Sequence, residues 1–248
     1  MAPATHRSDA SGARRAALRG QLPPRYDGEF WRRSFDDAVD AVLQPGQRVL
    51  DLGSGAMPAV PPERRPEGIT YVGLDISASE LAKAPPGSYD EVHVSDAVIR
   101  RPELAGSFDV VLSYQVFEHL RPLAAAIENL RGYLVDGGVL VSQFSGTFSL
   151  FGLVNRAVPQ PLALWGLRRF LGRDPTTVFP AYYDQCWNSA LVRLFAPWSS
   201  AEILPLYTGA GYLEFVKPIQ ALYVGLEEAW VRRDARNLAA YYVVTARR

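Results

Sequence analysis

Cysteine is almost missing from this chain of 248 residues: Cys186 stands alone, so no internal disulfide can form. The histidine and orienting residue that would make it a nucleophile cannot be assigned from sequence, and a reducing cytoplasmic setting is expected. Net charge is absent as well. Lys plus Arg and Asp plus Glu number 26 each, which excludes an overall field favouring nucleic acid or an acidic polymer, so any partner must be read locally. No apolar h-region follows Arg14 and Arg15, and no apolar run reaches the roughly 18 residues that a membrane span requires. Neither a signal peptide nor a transmembrane helix is therefore expected. What the chain has in quantity is apolar side chain, at 48% of residues, enough to fill the core of one large α/β domain with an elaboration.

Residues 1–24 are rich in Ala, Arg, Ser and Pro, and their arginines are nearly unopposed. Such a composition predicts a mobile tail, with a helix that orders on binding as the alternative. From residue 25 onward the pattern is that of a folded domain. Phe30, Phe35, Val39 and Val42 give an imperfect helical face that Pro45 and Gly46 end. Four short apolar runs follow, Arg48 to Leu52, Thr70 to Leu74, Glu91 to Val94 and Phe108 to Ser113, each bounded by turn residues. They read as parallel strands buried on both faces. Leu120, Leu123, Ile127, Leu130 and Leu134 then repeat at helical spacing, and Gly138 to Phe144 reads as a fifth strand. Strands alternating with crossovers predict a doubly wound, mostly parallel, seven-stranded α/β sheet. Residues 146–197 break the rhythm with a crowd of Phe, Trp, Tyr, Leu and Arg, and read as a helical and aromatic cap inserted after the fifth strand. A helix from Ser199 to Thr208, a strand over Tyr212 to Val216, a helix over Leu222 to Asn237 and a strand from Tyr241 to Ala246 complete the expectation.

Asp51, Gly53, Ser54 and Gly55 fall at the end of the first strand, the carboxyl edge where open α/β sheets bind ligands. Glycines there let backbone approach a ligand, although a GxG pair is often only a tight turn. Asp75 ends the second strand about 20 residues further on, placed to bond both hydroxyls of a ribose. It could instead cap the following ISASE segment, but Ser77 and Glu80 already form a capping box there. Asp96 ends the third strand, where it either bonds the exocyclic amine of an adenine or marks an exposed turn. The prolines narrow the choice of ligand. A dinucleotide needs N–H groups and a helix N-terminus after the glycines, whereas Pro58, Pro61 and Pro62 have no N–H, and Pro58 occupies the third glycine position of GxGxxG. The site suits an adenosine ligand that carries no phosphate.

Taken together, VLDLGSG at 49–55, GLDIS at 73–77, VSDA at 94–97, FDVVLSYQVFEHL at 108–120 and LRGYLVDGGVLV at 130–141 resemble the class I S-adenosylmethionine-dependent methyltransferases. The resemblance covers roughly residues 45–145. It implies a Rossmann-like methyltransferase fold with S-adenosyl-L-methionine as cofactor and no metal. Gly53 and Gly55 would approach its methionine part, with Asp51 and Ser54 beside them. Asp75, with Ile76 and Ser77, would hold the ribose, Asp96 and Ala97 the adenine, and Tyr114, Gln115 and Val116 would line the floor. Met57 and the following prolines depart from the family, which leaves the amino-acid end of the cofactor to Arg25 or Tyr26.

Methyl transfer needs alignment and water exclusion more than covalent help, and an alcohol acceptor also benefits from a base. Only His119 follows a strand at the ligand edge, beside Glu118, and this pair is the candidate for base or acceptor positioning. A histidine that merely caps the next helix is the competing reading. In the insert, Tyr182, Tyr183, Asp184 and Trp187 mix stacking with hydrogen bonding in a way that suits a polyol, or they pack as a buried cap. Residues 161–173 read as a lid or as a contact with a membrane surface. PPERRP and FPAYYDQCW resemble actinobacterial methyltransferases associated with glycan or glycolipid modification. The acceptor expected is accordingly a hydroxyl of a sugar, glycolipid or related small molecule. Secondary-metabolite O- or N-methylation, a nicotinamide-dependent oxidoreductase and a non-catalytic S-adenosylmethionine-binding protein are the alternatives. Nucleic acid is not expected, though the arginines at 7, 14, 15, 19 and 25 keep RNA open.

Overall fold

Strands buried on both faces must carry apolar side chains at successive positions, and the runs of the first half do so. The computed structural model describes residues 10–18, 21–26, 30–149, 152, 180–213 and 216–248. In it β1 (Arg48–Leu52), β2 (Thr70–Asp75), β3 (Glu91–Val94) and β4 (Phe108–Tyr114) pair in parallel in the order β3-β2-β1-β4. The fifth strand, β5 (Leu134–Ser145), joins β4 in parallel. It starts earlier than the glycines suggest, because the chain leaves the preceding helix directly into the sheet and slips register between Phe108 and Val110. β7 (Tyr241–Arg247) runs antiparallel between β5 and β6 (Ser200–Leu206), giving the order β3-β2-β1-β4-β5-β7-β6. This is a doubly wound, mostly parallel, seven-stranded sheet of the Rossmann-like methyltransferase type.

Helices cover both faces. Phe35 and Val39 of α2 (Phe30–Asp40) pack on Val49, Val110 and Val141, while Ala126, Ile127 and Leu130 of α4 (Leu123–Tyr133) pack on Leu50, Val111 and Leu140. The short α3 (Ala78–Leu81) follows β2. From the insert, α5 (Asn188–Leu194) presses Leu191 into the same core as α4. The insert is otherwise described only at residues 146–149, 152 and 180–197; the 161–173 segment lies outside the described residues.

Three expectations are corrected here. Ser199 to Thr208 is strand β6, not a helix: Ile203 and Leu206 are three apart and would share a helix face, but the ladder from Ser200↔Arg247 to Leu206↔Tyr241 decides for a strand. At the sheet edge that strand also tolerates Pro205. The strand expected over Tyr212 to Val216 is a 3₁₀ turn, Gly209–Leu213, with 214 and 215 outside the described residues, and the helix after it, α6, spans Lys217–Arg232. Finally, Ala10–Leu18 of the expected tail forms a helix, α1. Its small residues allow close approach, and Ala17 is buried with Ala221 and Val224 of α6.

The proline-rich crossover holds its shape without a regular helix. After Gly55 the chain bends through a single 3₁₀ turn, Pro62–Arg64, and is tied down by side chains. Asp51 Oδ2 accepts the Ala59 N–H at 2.7 Å and the Tyr71 hydroxyl at 2.8 Å, and the Arg65 guanidinium lies 3.6 Å over the Tyr71 ring while donating to the Val60 and Ser88 carbonyls. Asp51 therefore anchors the crossover rather than touching a ligand, a correction to its expected role. Burial pushes its carboxyl from 3.8 up to about 7, against the two donated hydrogen bonds. A carboxyl with a raised folded pKa favours folding below its unfolded value, and that contribution is lost as pH rises through the folded value. We expect this group to remove about 4 kcal/mol of stability between pH 4 and pH 7. In urea titrations at a series of pH values, Asp51→Asn should flatten that fall; an unchanged slope would show that Asp51 does not titrate in this window.

Candidate active site

The carboxyl ends of β1, β2, β3 and β4 surround a cavity of ≈ 440 Å³. Leu52 and Leu74 give it apolar walls at the ends of β1 and β2. Gly53 turns the chain out of β1 at φ 68°, and its N–H donates to the Leu74 carbonyl at 2.7 Å, stitching the turn to β2. A Cβ at this position would lie 2.3 Å from Val116 Cγ2, so only glycine lets the two strand ends close around the cavity. Gly55, at φ 47°, donates its N–H to Asp75 Oδ2 at 3.0 Å, and Ser77 N–H donates to Oδ1 at 2.8 Å. Two backbone donors thus fix the Asp75 carboxylate, each taking one lone pair of one oxygen and leaving acceptor capacity on both. Ser77 separately caps α3 by accepting the Glu80 N–H. Burial raises the Asp75 pKa and the Ser77 and Gly55 N–H groups oppose it.

Of the residues singled out from sequence, Gly53, Asp75, Ile76, Asp96, Ala97, Gln115, Val116, His119 and Tyr182 line the cavity. Asp96 spends Oδ1 on the Val98 N–H at 3.0 Å. Gln115 leaves β4 at φ 59°, a left-handed conformation that costs a non-glycine residue energy and that clusters at functional sites. Its Oε1 lies 3.3 Å from Ser145 Oγ, and its Nε2 is a buried donor with no partner among the described residues.

His119 Nδ1 lies 3.0 Å from the Pro180 carbonyl oxygen. A carbonyl can only accept, so Nδ1 carries the proton, and in the neutral ring Nε2 keeps the lone pair of a base. Beside it, Glu118 is corrected from a catalytic partner to a buried strut. Its carboxyl does not line the cavity; Oε1 accepts from the Ser145 N–H at 3.2 Å and Ser145 Oγ at 3.0 Å, and burial raises its pKa. The Glu118 backbone carbonyl accepts the N–H groups of Tyr182 and Tyr183 at 2.8 and 2.9 Å, which holds the returning insert against the cavity.

Several other expectations are redirected. Ser54 and Gly55 sit behind the cavity, where their carbonyls accept from the Tyr89 hydroxyl. Tyr114 points to the opposite face of the sheet, stacked on Trp31 with centroids 6.0 Å apart and with the Arg32 guanidinium 4.4 Å over its ring, because alternation along β4 puts it opposite to Ser113. Tyr183 is buried at φ 52°, Asp184 Oδ2 accepts the Leu123 N–H at the start of α4, and Trp187 packs on Phe148. These three shape the insert rather than the cavity. The reading from sequence missed Ser95, Leu120, Arg121 and Pro180, which line it. Leu120 and Arg121 adjoin His119 directly, but Pro180 gave no signal, since only folding brings it to the histidine. Cys186 is buried, with its thiol pushed up by burial, as a packing residue. Among the described residues no group of His, Cys, Asp and Glu could hold a metal ion, and no helix is long and apolar enough to cross a membrane.

Comparison with known proteins bears on the family and the fold. The pattern of the methyltransferase-domain family matches residues 24–182, well over half of the chain. The chain belongs to this family. No curated protein matches the methyltransferase at the level of sequence. Solved structures share its fold at low identity. Haemonchus contortus phosphoethanolamine N-methyltransferase 2, in complex with S-adenosyl-L-methionine, superposes with a TM-score of 0.54 at 14% identity, covering 98% of this chain and 58% of that one. The methyltransferase thus spans little more than half of the Haemonchus protein. A chain from the Haloferax volcanii complex with the Trm112 methyltransferase activator gives 0.55 at 16% identity, covering 94% and 96%. An S-adenosylmethionine-dependent methyltransferase from Thermotoga maritima gives 0.53 at 14%, covering 90% and 93%.

Proposed function

We propose that this methyltransferase uses S-adenosyl-L-methionine to methylate a hydroxyl on a sugar, glycolipid or related small molecule. The observation that carries the reading is the joint presence in one cavity of the Asp75 carboxylate, fixed by two backbone N–H groups, and of His119 with its Nδ1 proton committed to Pro180. Asp75 would hold the ribose hydroxyls, Asp96 and Ala97 would face the adenine, and Gly53 leaves room for backbone contact with the methionine portion. The cofactor supplies an activated methyl group. His119 Nε2 would take the acceptor hydroxyl proton as the oxygen gains the methyl group and becomes an ether, while Tyr182 and Pro180, which line the cavity, would help to exclude water. The absence of a helix after Gly55 speaks against the nicotinamide alternative, because no helix N-terminus stands ready for a pyrophosphate.

The test is calorimetric titration with S-adenosylhomocysteine and, in parallel, NADH, followed by an acceptor screen that starts with hydroxylated sugars. Micromolar binding of the former alone is expected; binding of NADH alone would end the proposal. With an acceptor in hand, His119→Ala should slow turnover on the order of 100-fold or more while homocysteine-ligand affinity stays within a factor of two or so. Turnover equal to wild type would make the histidine structural.

A further inference from the structure

The electrical balance of the whole chain conceals a one-sided helix pair. Helix α6 turns its carboxylates inward: Glu227 and Glu228 are both fully buried, Glu227 accepting the Gly209 and Ala210 N–H groups and Glu228 pairing with Arg25. Its outer face carries Ile219, Leu222 and Leu226, spaced three and four apart and 52%, 51% and 44% exposed. These are not isolated surface apolars but one continuous stripe of a helix whose inner face is already filled by Ala221, Tyr223 and Val224. Arg233 lies seven residues beyond Leu226, two turns along the same line, and is exposed with its neighbour Arg232. On the flank, α1 places Arg14 against Gly225, where an added Cβ would lie 3.8 Å from the Arg14 side chain, and Leu18 of the same helix is 54% exposed. Lys217 and Arg15 are exposed as well; Ala10–Leu18 carries no carboxylate, those of α6 are buried, and the exposed Asp234 follows Arg233 just beyond the helix.

We propose that the α1–α6 face docks on an anionic lipid surface, the leucines and isoleucine entering the headgroup boundary and the arginines meeting the phosphates. An apolar stripe with cations beside it and carboxylates withdrawn is the pattern that partitions to such interfaces, and the charge complementarity selects a negatively charged bilayer. The inference does not rest on methyl transfer, since no residue of α1 or α6 lines the cavity.

The test is co-sedimentation of the full chain with phosphatidylcholine vesicles and with vesicles that also contain phosphatidylglycerol. Binding to the anionic vesicles is expected, weakening several-fold in high salt. It should fall at least tenfold in the double variant Leu222→Glu/Leu226→Glu, whose melting temperature and S-adenosylhomocysteine affinity should match wild type because both side chains are exposed. If that variant unfolds, Arg14→Glu/Arg233→Glu reads the same surface through charge. No binding to anionic vesicles at low salt overturns the proposal, as does wild-type binding by a folded variant. Sedimentation velocity gives a further way to fail: a dimer that the leucine variant dissolves, without vesicle binding, would assign the stripe to a second copy of the chain.

Discussion

Gly53→Ala should leave a protein that folds less stably and no longer binds S-adenosylhomocysteine measurably. The backbone at Gly53 sits at φ 68°, where a side chain costs about 1–2 kcal/mol, and the new methyl would stand 2.3 Å from Val116 Cγ2 and 2.9 Å from Cγ1. Val116 cannot swing aside easily, being β-branched and stiff at χ1, so the contact would be relieved by moving the β4 exit into the cavity that Val116 lines. The stability change is read from a urea melt and the binding change by calorimetry. A variant that binds within about threefold of wild type, or roughly 0.7 kcal/mol, would show that the β1 turn is not part of the cofactor site.

The second large effect belongs to Asp75. In Asp75→Ala the Gly55 and Ser77 N–H groups lose their acceptor, and the ribose hydroxyls would lose the one proposed for them. Hydrogen bonds to a charged group contribute about 1.5–3 kcal/mol each, so affinity for S-adenosylhomocysteine should fall on the order of 100-fold. Because Ser77 Oγ caps α3 independently, the helix should survive and the loss should not be one of folding. A control isolates the ribose. Wild type should distinguish adenosine from 2′-deoxyadenosine, and Asp75→Ala should not, since the cycle then contains no carboxylate for the hydroxyl to meet. Equal discrimination in both proteins would remove Asp75 from the ribose site and leave it a turn residue.

Much of the cavity was legible because its residues end consecutive strands. The acids and glycines at the ends of β1, β2 and β3 share one edge of the sheet by topology alone, so GxG, Asp75 and Asp96 could be grouped before any distance was known. Position on that edge does not settle side-chain direction, however. Tyr114 and Gln115 are neighbours in sequence, yet Tyr114 faces α2 and the aromatic stack, whereas Gln115 borders the cavity. Glu118 and His119 diverge in the same way within one 3₁₀ turn. The partners that distinguish them, Ser145 for one and Pro180 for the other, are 27 and 61 residues distant along the chain.

The sequence by itself determined the first five strands, the helices between them, the edge on which ligand groups gather and the refusal of a phosphate-binding helix after Gly55. Each follows from local physics: apolar runs, turn chemistry and the missing N–H of proline. Only the tertiary structure decided that residues 200–206 are a strand, that α1 leaves the tail for α6, that Asp51 holds the crossover, and that His119 Nδ1 meets the Pro180 carbonyl. Those outcomes depend on strand pairing, burial and hydrogen bonds between distant segments. A periodicity of three or four residues cannot encode them, because the same apolar spacing satisfies a helix and a half-buried strand until a partner is in place.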